Sequence, residues 1–364
     1  MDYRERLLRL QHMIRENGAV GAVLVPGSNF YYLTGMAPLG SLERLFLLLL
    51  PAEGEPVVIA PQLYENELGN WEFGRILLWR DGENPYRLFR GVLSEHAPEG
   101  GSLFVDDAMP IGLLLGTGIL GKYRLERIGP IVSELRVIKS REEVEFLQKA
   151  AEIVDKTFYA LLEQGLEGRT EKELATWLDC AMKRLGAEGV SFEPIVASGP
   201  NSANPHHRST DRKIRKGDVV VFDYGARYGG YCSDVTRTVV VGKPSENVLT
   251  VYEVVKEAQE GACRAVRAGV LARDVDAVAR ETIAKAGYGE YFIHRTGHGL
   301  GLDVHEEPYI SPESSVALRA GMVFTIEPGI YLPGKFGVRI EDDVLVEGGH
   351  GLRLTKATRE LLCV

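Results

Sequence analysis

The side chains in this sequence best placed to do chemistry together are carboxylates set in apolar, strand-like runs and one imidazole flanked by glycine. Asp223 lies in VVVFDYGA and Asp234 in GGYCSDVTRTVVVG, two β-branched runs flanking the turn Arg227-Tyr-Gly-Gly230, which read as a hairpin. If Ala226 pairs with Tyr231 across a four-residue loop, Asp223 falls directly opposite Asp234. Facing residues have Cβ atoms roughly 4.5 to 5.5 Å apart, where like charges destabilise the pair. A bound cation is the simplest compensation. For either Asp taken alone, a bend or an ion pair with Arg237 is the blander account.

Two further carboxylates occupy apolar runs, Glu327 in MVFTIEPGIY and Glu341 in GVRIEDDVLV, where an isolated ionised Glu is expensive to bury. Arg339 shares a face with Glu341 by two-residue alternation, so an internal Arg–Glu pair stays open for Glu341 and leaves Glu327 without a partner. The segment His294-Arg-Thr-Gly-His298-Gly-Leu-Gly-Leu-Asp-Val-His305 holds three of the eight histidines, and glycine on both sides of His298 permits close backbone approach. Gly297-x-Gly299-x-Gly301 lacks the spacing and the preceding strand of a dinucleotide loop, which excludes that class. Asp223, Asp234, His298, Glu327 and Glu341 together make a hard, oxygen-rich set of about four negative charges, suited to two divalent ions sharing bridging carboxylates. One ion would leave excess charge. Mn or Co is the leading expectation, with Fe or Zn as alternatives.

The elements that must position these groups are legible in outline. The chain has 364 residues, 45% hydrophobic and 26% charged, enough for two packed cores and without the composition of a disordered protein. A net charge of −9 without a Lys/Arg cluster argues against nucleic-acid binding. The N-terminal segment alternates charge with Leu and Met at helical spacing and does not read as a secretory signal, and the longest apolar run, residues 45–50, is too short to span a bilayer. The four cysteines are scattered, which fits thiols in a reducing, cytoplasmic setting and excludes cysteine-rich structural zinc.

The first third alternates a helical pattern at 3–16 with apolar stretches at 22–26, 44–51, 56–61 and 102–107, an α/β layout around a central sheet. Ser140-x-x-Glu143 and Thr170-x-x-Glu173 have capping-box spacing, and the first opens an amphipathic run to Leu162. Two domains are expected, 1–129 and 130–364. The second reads as helix, helix, strands, then helices near 248–267 and 272–286 and strands again, two halves with the same order.

The succession of Asp223, Asp234, His298 in GHGLG, Glu327 in IEPG and Glu341 in RIED resembles the creatinase, prolidase and methionine aminopeptidase superfamily, over residues 130–364. NFYYLTG at 29–35 is similar to the N-terminal domain of prolidases and Xaa-Pro aminopeptidases, which methionine aminopeptidases lack. The resemblance implies a creatinase-like N-terminal α/β domain, a C-terminal pita-bread domain with pseudo-symmetric halves, and a homodimer. It implies that Asp223 chelates one metal, Asp234 and Glu341 bridge both, and His298 and Glu327 complete the second site. It places His206, in SGPNSANPHH, and His305 where substrate and the tetrahedral intermediate are met, makes His294 and Tyr331 substrate-binding residues, and sets Arg339 among the catalytic ones. His207 reads as a solvated loop residue.

The implied reaction is hydrolysis of the bond between an N-terminal residue and a following proline, through a hydroxide bridging the two metals. Glu327 is the proton acceptor, and His305 and His206 donate to the developing oxyanion. Creatinase lacks the metal ligands that this chain retains. Tyr309 stands where many prolidases of this size carry an Arg that grips a dipeptide's carboxylate, which tilts the expectation toward an aminopeptidase accepting longer peptides. A catalytically silent binding module and a methionine-type aminopeptidase are the rivals.

Overall fold

The computed structural model describes residues 2–37, 42–69 and 71–364, in two compact units that divide between Arg136 and Val137. The division falls beyond the expected boundary near residue 130. The helix Gly129–Arg136 belongs to the first unit, because the Tyr32 hydroxyl donates to Leu135 O (3.0 Å) and the Arg136 guanidinium to Asn29 Oδ1 (2.8 Å).

In the first unit a six-stranded sheet runs in the order Arg75–Trp79, Val57–Pro61, Leu47–Pro51, Ala19–Leu24, Ser102–Val105, Arg124–Arg127. The strands Leu47–Pro51 and Val57–Pro61 are apolar at every position because both their faces are buried. The helix Tyr3–Glu16 matches the expected span, is capped by Asp2, and buries Leu7, Leu10 and Ile14 at helical spacing. NFYYLTG forms the helix Ser28–Thr34, closed by Gly35 in the left-handed region.

The second unit repeats helix, helix, strands. The helices Arg141–Leu162 and Glu171–Arg184 both open on the expected capping boxes. They bury Val154, Phe158, Leu174 and Leu178 against Val220, Phe222, Val235 and Val239 of a four-stranded sheet. Glu246–Ala265 and Ala272–Lys285 pack likewise on a five-stranded sheet through Val255, Ala258, Val275, Ala279, Phe324 and Val344. Each half therefore has its own core. The sheets meet at a bridge between Thr236 and Glu341, where Glu341 N donates to Thr236 O at 3.1 Å.

The hairpin forms, but its register corrects the expectation. Tyr228 pairs with Tyr231 across a two-residue turn at Gly229 and Gly230, whose φ values of 58° and 79° suit the tight turn that most residues cannot make. Asp223 therefore faces Thr236, and Asp234 lies one two-residue step away on the same face, a diagonal neighbour. The slip is even, so both carboxylates keep the same side of the sheet.

Two polar knots hold this frame. Arg237 and Asp342, each side chain 1% exposed, form an ion pair at 2.7 Å, and Arg237 also donates to the carbonyls of Thr236, Glu341, Ala357 and Thr358. Asp342 accepts in addition from Thr355 Oγ1 and Gln259 Nε2. The second knot fixes the loop that carries His206. Glu171 accepts from Ser198 N and Oγ, Asn201 Nδ2, Thr210 N and Oγ1, and lies 2.8 Å from His207 Nε2. His207 is thus no solvated loop residue, since its side chain is 11% exposed and braces the loop. Burial alone would raise the Glu171 carboxyl, but the hydrogen bonds led by His207 and Thr210 outweigh it and hold the group at about 2. Among the described residues no helix is long and apolar enough to cross a membrane.

Asp342→Ala leaves the Arg237 charge buried without its counter-ion and is expected to destabilise the second unit by about 3 to 5 kcal/mol; an unshifted urea midpoint would contradict this. Glu171 has a folded-state value below its ordinary 4.5, so its carboxylate stabilises fully above pH 4.5 and the effect is lost as pH falls through about 2. Urea titrations of the native chain and Glu171→Gln should therefore differ at pH 6 and converge near pH 2, and a gap that stayed constant with pH would refute the assignment.

Candidate metal centre

Each of the five expected ligands sits within a strand or beside one, where the sheets deliver it to a common point. Asp223 is in the strand Val219–Tyr224, and Asp234 immediately precedes Val235–Val240. His298 is the middle of the strand Gly297–Gly299, Glu327 follows Val323–Ile326, and Glu341 sits between Phe336–Arg339 and Asp342–Glu347. The flanking glycines of His298 are required by proximity. A Cβ at Gly297 would lie 1.8 Å from Thr325 O, and one at Gly299 2.2 Å from Glu307 O.

All five line one cavity of about 350 Å³, together with His206, His294, His305 and Arg339. His298 Nε2 lies 3.3 Å from Glu327 Oε1 and 3.7 Å from Asp234 Oδ2. Donor atoms of Asp234, His298 and Glu341 lie within 4.8 Å of one another. The Glu341 carboxylate accepts from Thr236 Oγ1 at 2.6 Å, and Glu327 from Thr325 Oγ1 at 3.2 Å. Asp223 Oδ1 and Asp234 Oδ1 are buried with no hydrogen-bond partner.

The electrostatics ask for positive charge. Burial, and then the neighbouring carboxylates, push Asp234 and Glu341 well above the usual carboxylate range. Glu327 is pushed up to about 7 by burial, although the nearby Arg339 opposes this. Burial and the adjacent His305 hold His298 down at about 3, so its imidazole is neutral at pH 7. Its Nδ1 is 3.1 Å from Gly299 O, which makes Nδ1 the donor and turns the Nε2 lone pair toward the carboxylates. Lone pair against carboxylate oxygen at 3.3 Å is repulsive unless a proton or a metal cation lies between them. Two orphaned carboxylate oxygens, mutually repelling acids and a neutral imidazole aimed at them are what divalent cations would satisfy, and the residue set fits them.

Arg339 supplies the cavity's balancing charge, and it pairs with Asp223 rather than Glu341. Its Nη2 donates to Asp223 Oδ2, Nε to Thr236 Oγ1 (3.0 Å), and Nη1 to the Tyr331 hydroxyl (2.8 Å). The Tyr331 hydroxyl lies 2.9 Å from His294 Nε2, and His294 Nδ1 lies 2.7 Å from Arg295 O. A relay of fixed polarity therefore runs from Arg339 through Tyr331 to His294. Burial first and the Arg339 charge second hold His294 at about 3, neutral throughout the physiological range. Tyr331, expected to touch substrate, stands behind the cavity wall with its hydroxyl taken up by these two partners. His206 and His305 are exposed at the mouth, the His305 ring centroid 4.1 Å from that of His298.

Sequence reasoning passed over three residues that matter here. Thr236 bonds both Glu341 and Arg339, and the alternation Asp234, Thr236, Thr238 inside an apolar strand was its signal. Asp343 accepts from Asp234 N at 3.1 Å and so fixes that ligand's backbone. Arg295 lines the cavity with its guanidinium stacked over Tyr309, 4.3 Å from the ring centroid.

Known proteins with this arrangement give it a place. Residues 145–348 match the model of metallopeptidase family M24, and residues 6–138 the creatinase/prolidase N-terminal domain. An Xaa-Pro dipeptidase of Pyrococcus furiosus is 38% identical over 99% of this chain and 100% of its own length. The crystal structure of a recombinant prolidase from Thermococcus sibiricus superposes with a TM-score of 0.97 at 60% identity, covering 100% of both chains. That of an X-Pro aminopeptidase from Thermotoga maritima gives 0.84 at 35% identity, covering 95% of this chain and 98% of the other. The cluster fits divalent cations and lies in a pita-bread domain that follows a creatinase-type one in the sequence, and the chain belongs to metallopeptidase family M24.

Proposed function

We propose that this metallopeptidase is an Xaa-Pro exopeptidase with two divalent ions per chain, and that Xaa-Pro dipeptides are its substrates. The observation that carries the reading is the convergence of Asp223, Asp234, His298, Glu327 and Glu341 on one cavity whose charge is incomplete without cations. Relatives named prolidase or Xaa-Pro dipeptidase across the whole chain support the substrate class. Asp223, Asp234, His298, Glu327 and Glu341 would hold the ions, with Mn or Co the proposed occupants. Bound there, they would supply Lewis-acid polarisation of the scissile carbonyl and a water acidified toward neutrality.

The chain's own groups account for the rest. Glu327, beside the proposed ions, would take the proton from the attacking water and return it to the proline nitrogen as the C–N bond breaks. His305 and His206, which line the same cavity, would donate hydrogen bonds to the oxygen that gains charge. Arg339 pairs with Asp223 and opposes the upward push that burial gives its carboxyl, and Tyr331 and His294 hold Arg339 in place. A substrate amine would meet the carboxylates of the cluster, which confines cleavage to the first peptide bond. Unpaired Cys180, Cys232, Cys263 and Cys363 support a reducing, cytoplasmic setting, and the family resemblance carries the expectation of a homodimer.

A second reading, an aminopeptidase acting on longer peptides, draws support from Tyr309 and from the Thermotoga relative. The test is hydrolysis of Ala-Pro beside Ala-Pro-Ala by metal-stripped protein after separate addition of Mn, Co, Fe and Zn. Cleavage of the dipeptide alone is expected; cleavage of the tripeptide would favour the second reading, and metal-independent or absent cleavage would refute both. Asp234→Ala should lose bound metal and about 10³-fold in kcat/KM, a loss of about 4 kcal/mol at the transition state. Full metal content with ordinary turnover in that variant would remove Asp234 from the ligand set. His305→Ala should lower kcat by about 10²-fold with KM little changed, because the contact strengthens only as charge develops. A rise in KM alone would assign His305 to ground-state binding instead.

A further inference from the structure

His305 has a central part in the proposed reaction, yet among the described residues its side chain makes no hydrogen bond or ion pair; its ring meets only that of His298. The position of an exposed imidazole with so few contacts is set by the backbone on either side. That backbone is irregular, a connection over residues 300–305 between the strands Gly297–Gly299 and Glu306–Ile310. The ladder between these strands slips as well: His298 pairs with Tyr309 but Gly299 with Glu306, so Glu307 and Pro308 bulge out of it close to His305.

The side chain of Glu306, next to His305, supplies what the ladder does not. Lys139 Nζ donates to Glu306 Oε1 at 2.6 Å, with the Lys139 side chain 1% exposed and that of Glu306 11%. Lys139 is anchored in turn, its N donating to Gly321 O at 2.8 Å directly before the Ser140 cap of the helix Arg141–Leu162. On its other side the carboxylate rests against Gly301, where a Cβ would lie 2.5 Å from Oε1 and 2.9 Å from Oε2. The Gly301 carbonyl accepts from Cys232 N at 2.8 Å, which ties this end to the chain just before Asp234. Glu306 thus closes the connection on its own start, and the missing side chain at 301 admits it.

A lysine this buried is rare, and taking both charges out of water cancels much of their attraction, so the pair adds little stability over apolar side chains. Neither residue lines the cavity. We propose that Lys139 and Glu306, seated on Gly301, are positioning residues that hold His305 where charge develops on the scissile oxygen. The inference rests on the exopeptidase reading and on the role given there to His305, and deepens both. A misplacement of about 1 Å can cost on the order of 10²-fold in rate, and removal of the imidazole itself sets the ceiling.

The experiment measures kcat and KM for Ala-Pro, with bound metal, on metal-loaded K139M, G301A and E306Q, each made alone and combined with H305A. K139M removes the ammonium. G301A presses only on the flexible end of Glu306, so it moves the carboxylate without removing a charge and carries the test should K139M not fold. E306Q keeps an oxygen for Lys139. K139M and G301A should lower kcat by about tenfold or more with KM changed less than about twofold and metal retained, and E306Q should lose less. Combined with H305A, each should change kcat by less than about twofold, because the effect passes through His305. Equal losses with and without His305, loss of metal, a rise in KM alone, or ordinary kcat in K139M and G301A would overturn the proposal. Ordinary kcat in H305A alone would remove the role of His305 and the proposal with it. Failure of the unsubstituted, metal-loaded chain to cleave Ala-Pro would instead overturn the exopeptidase reading beneath it.

Discussion

The constraint on which this structure turns is the burial of four carboxylates around one point. Asp223, Asp234, Glu327 and Glu341 are brought together by apolar strands, and Arg339, bonded to Asp223, is the nearest charge that opposes theirs among the described residues. Such a cluster is a large electrostatic penalty in a folded interior. The fold meets it in two ways, by fixing the acids on rigid strands so they cannot swing apart, and by leaving carboxylate oxygens without protein partners. Rigidity with unsatisfied donor atoms is a preorganised cation site, and local instability is the condition for function.

The surroundings follow from that need. Thr236 lies at the bridge between the two sheets, where its hydroxyl serves Glu341 and Arg339 and its carbonyl serves Arg237. Beneath it Arg237 and Asp342 form a fully buried pair, so the side of the strand away from the cavity is as polar and as satisfied as the cavity side is polar and unsatisfied. On the substrate side the relay from Arg339 through Tyr331 to His294 keeps the guanidinium against Asp223, and Glu171 anchors the loop that brings His206 to the mouth.

Much of this was legible in the residues. Charged side chains inside apolar runs pointed to the four carboxylates of the cluster, because an unpaired buried carboxylate has few explanations, and the flanking glycines pointed to His298. Capping boxes located the helices Arg141–Leu162 and Glu171–Arg184, since the reciprocal hydrogen bonds are local in sequence. The hairpin register was not legible: two adjacent glycines permit a two-residue or a longer loop, and only the preference for positive φ at both decides. His207 and Arg295 were missed for another reason. Their partners, Glu171 and Tyr309, come from other elements, and a histidine or arginine in a loop looks the same on paper whether braced or free. The domain boundary slipped because the packing of Gly129–Arg136 on the first unit is settled by tertiary hydrogen bonds that local pattern does not encode.

The two halves of the second unit divide the cluster unequally, with Asp223 and Asp234 from the first sheet and His298, Glu327 and Glu341 from the second. During synthesis the chain emerges from its N-terminal end, so the aspartates are available long before Glu341. The first half alone offers two carboxylates and no imidazole from the cluster. Tight capture must await the docking of the last strands across the Thr236–Glu341 bridge. The complete ligand set therefore exists only in a chain whose two halves are both folded and joined across that bridge.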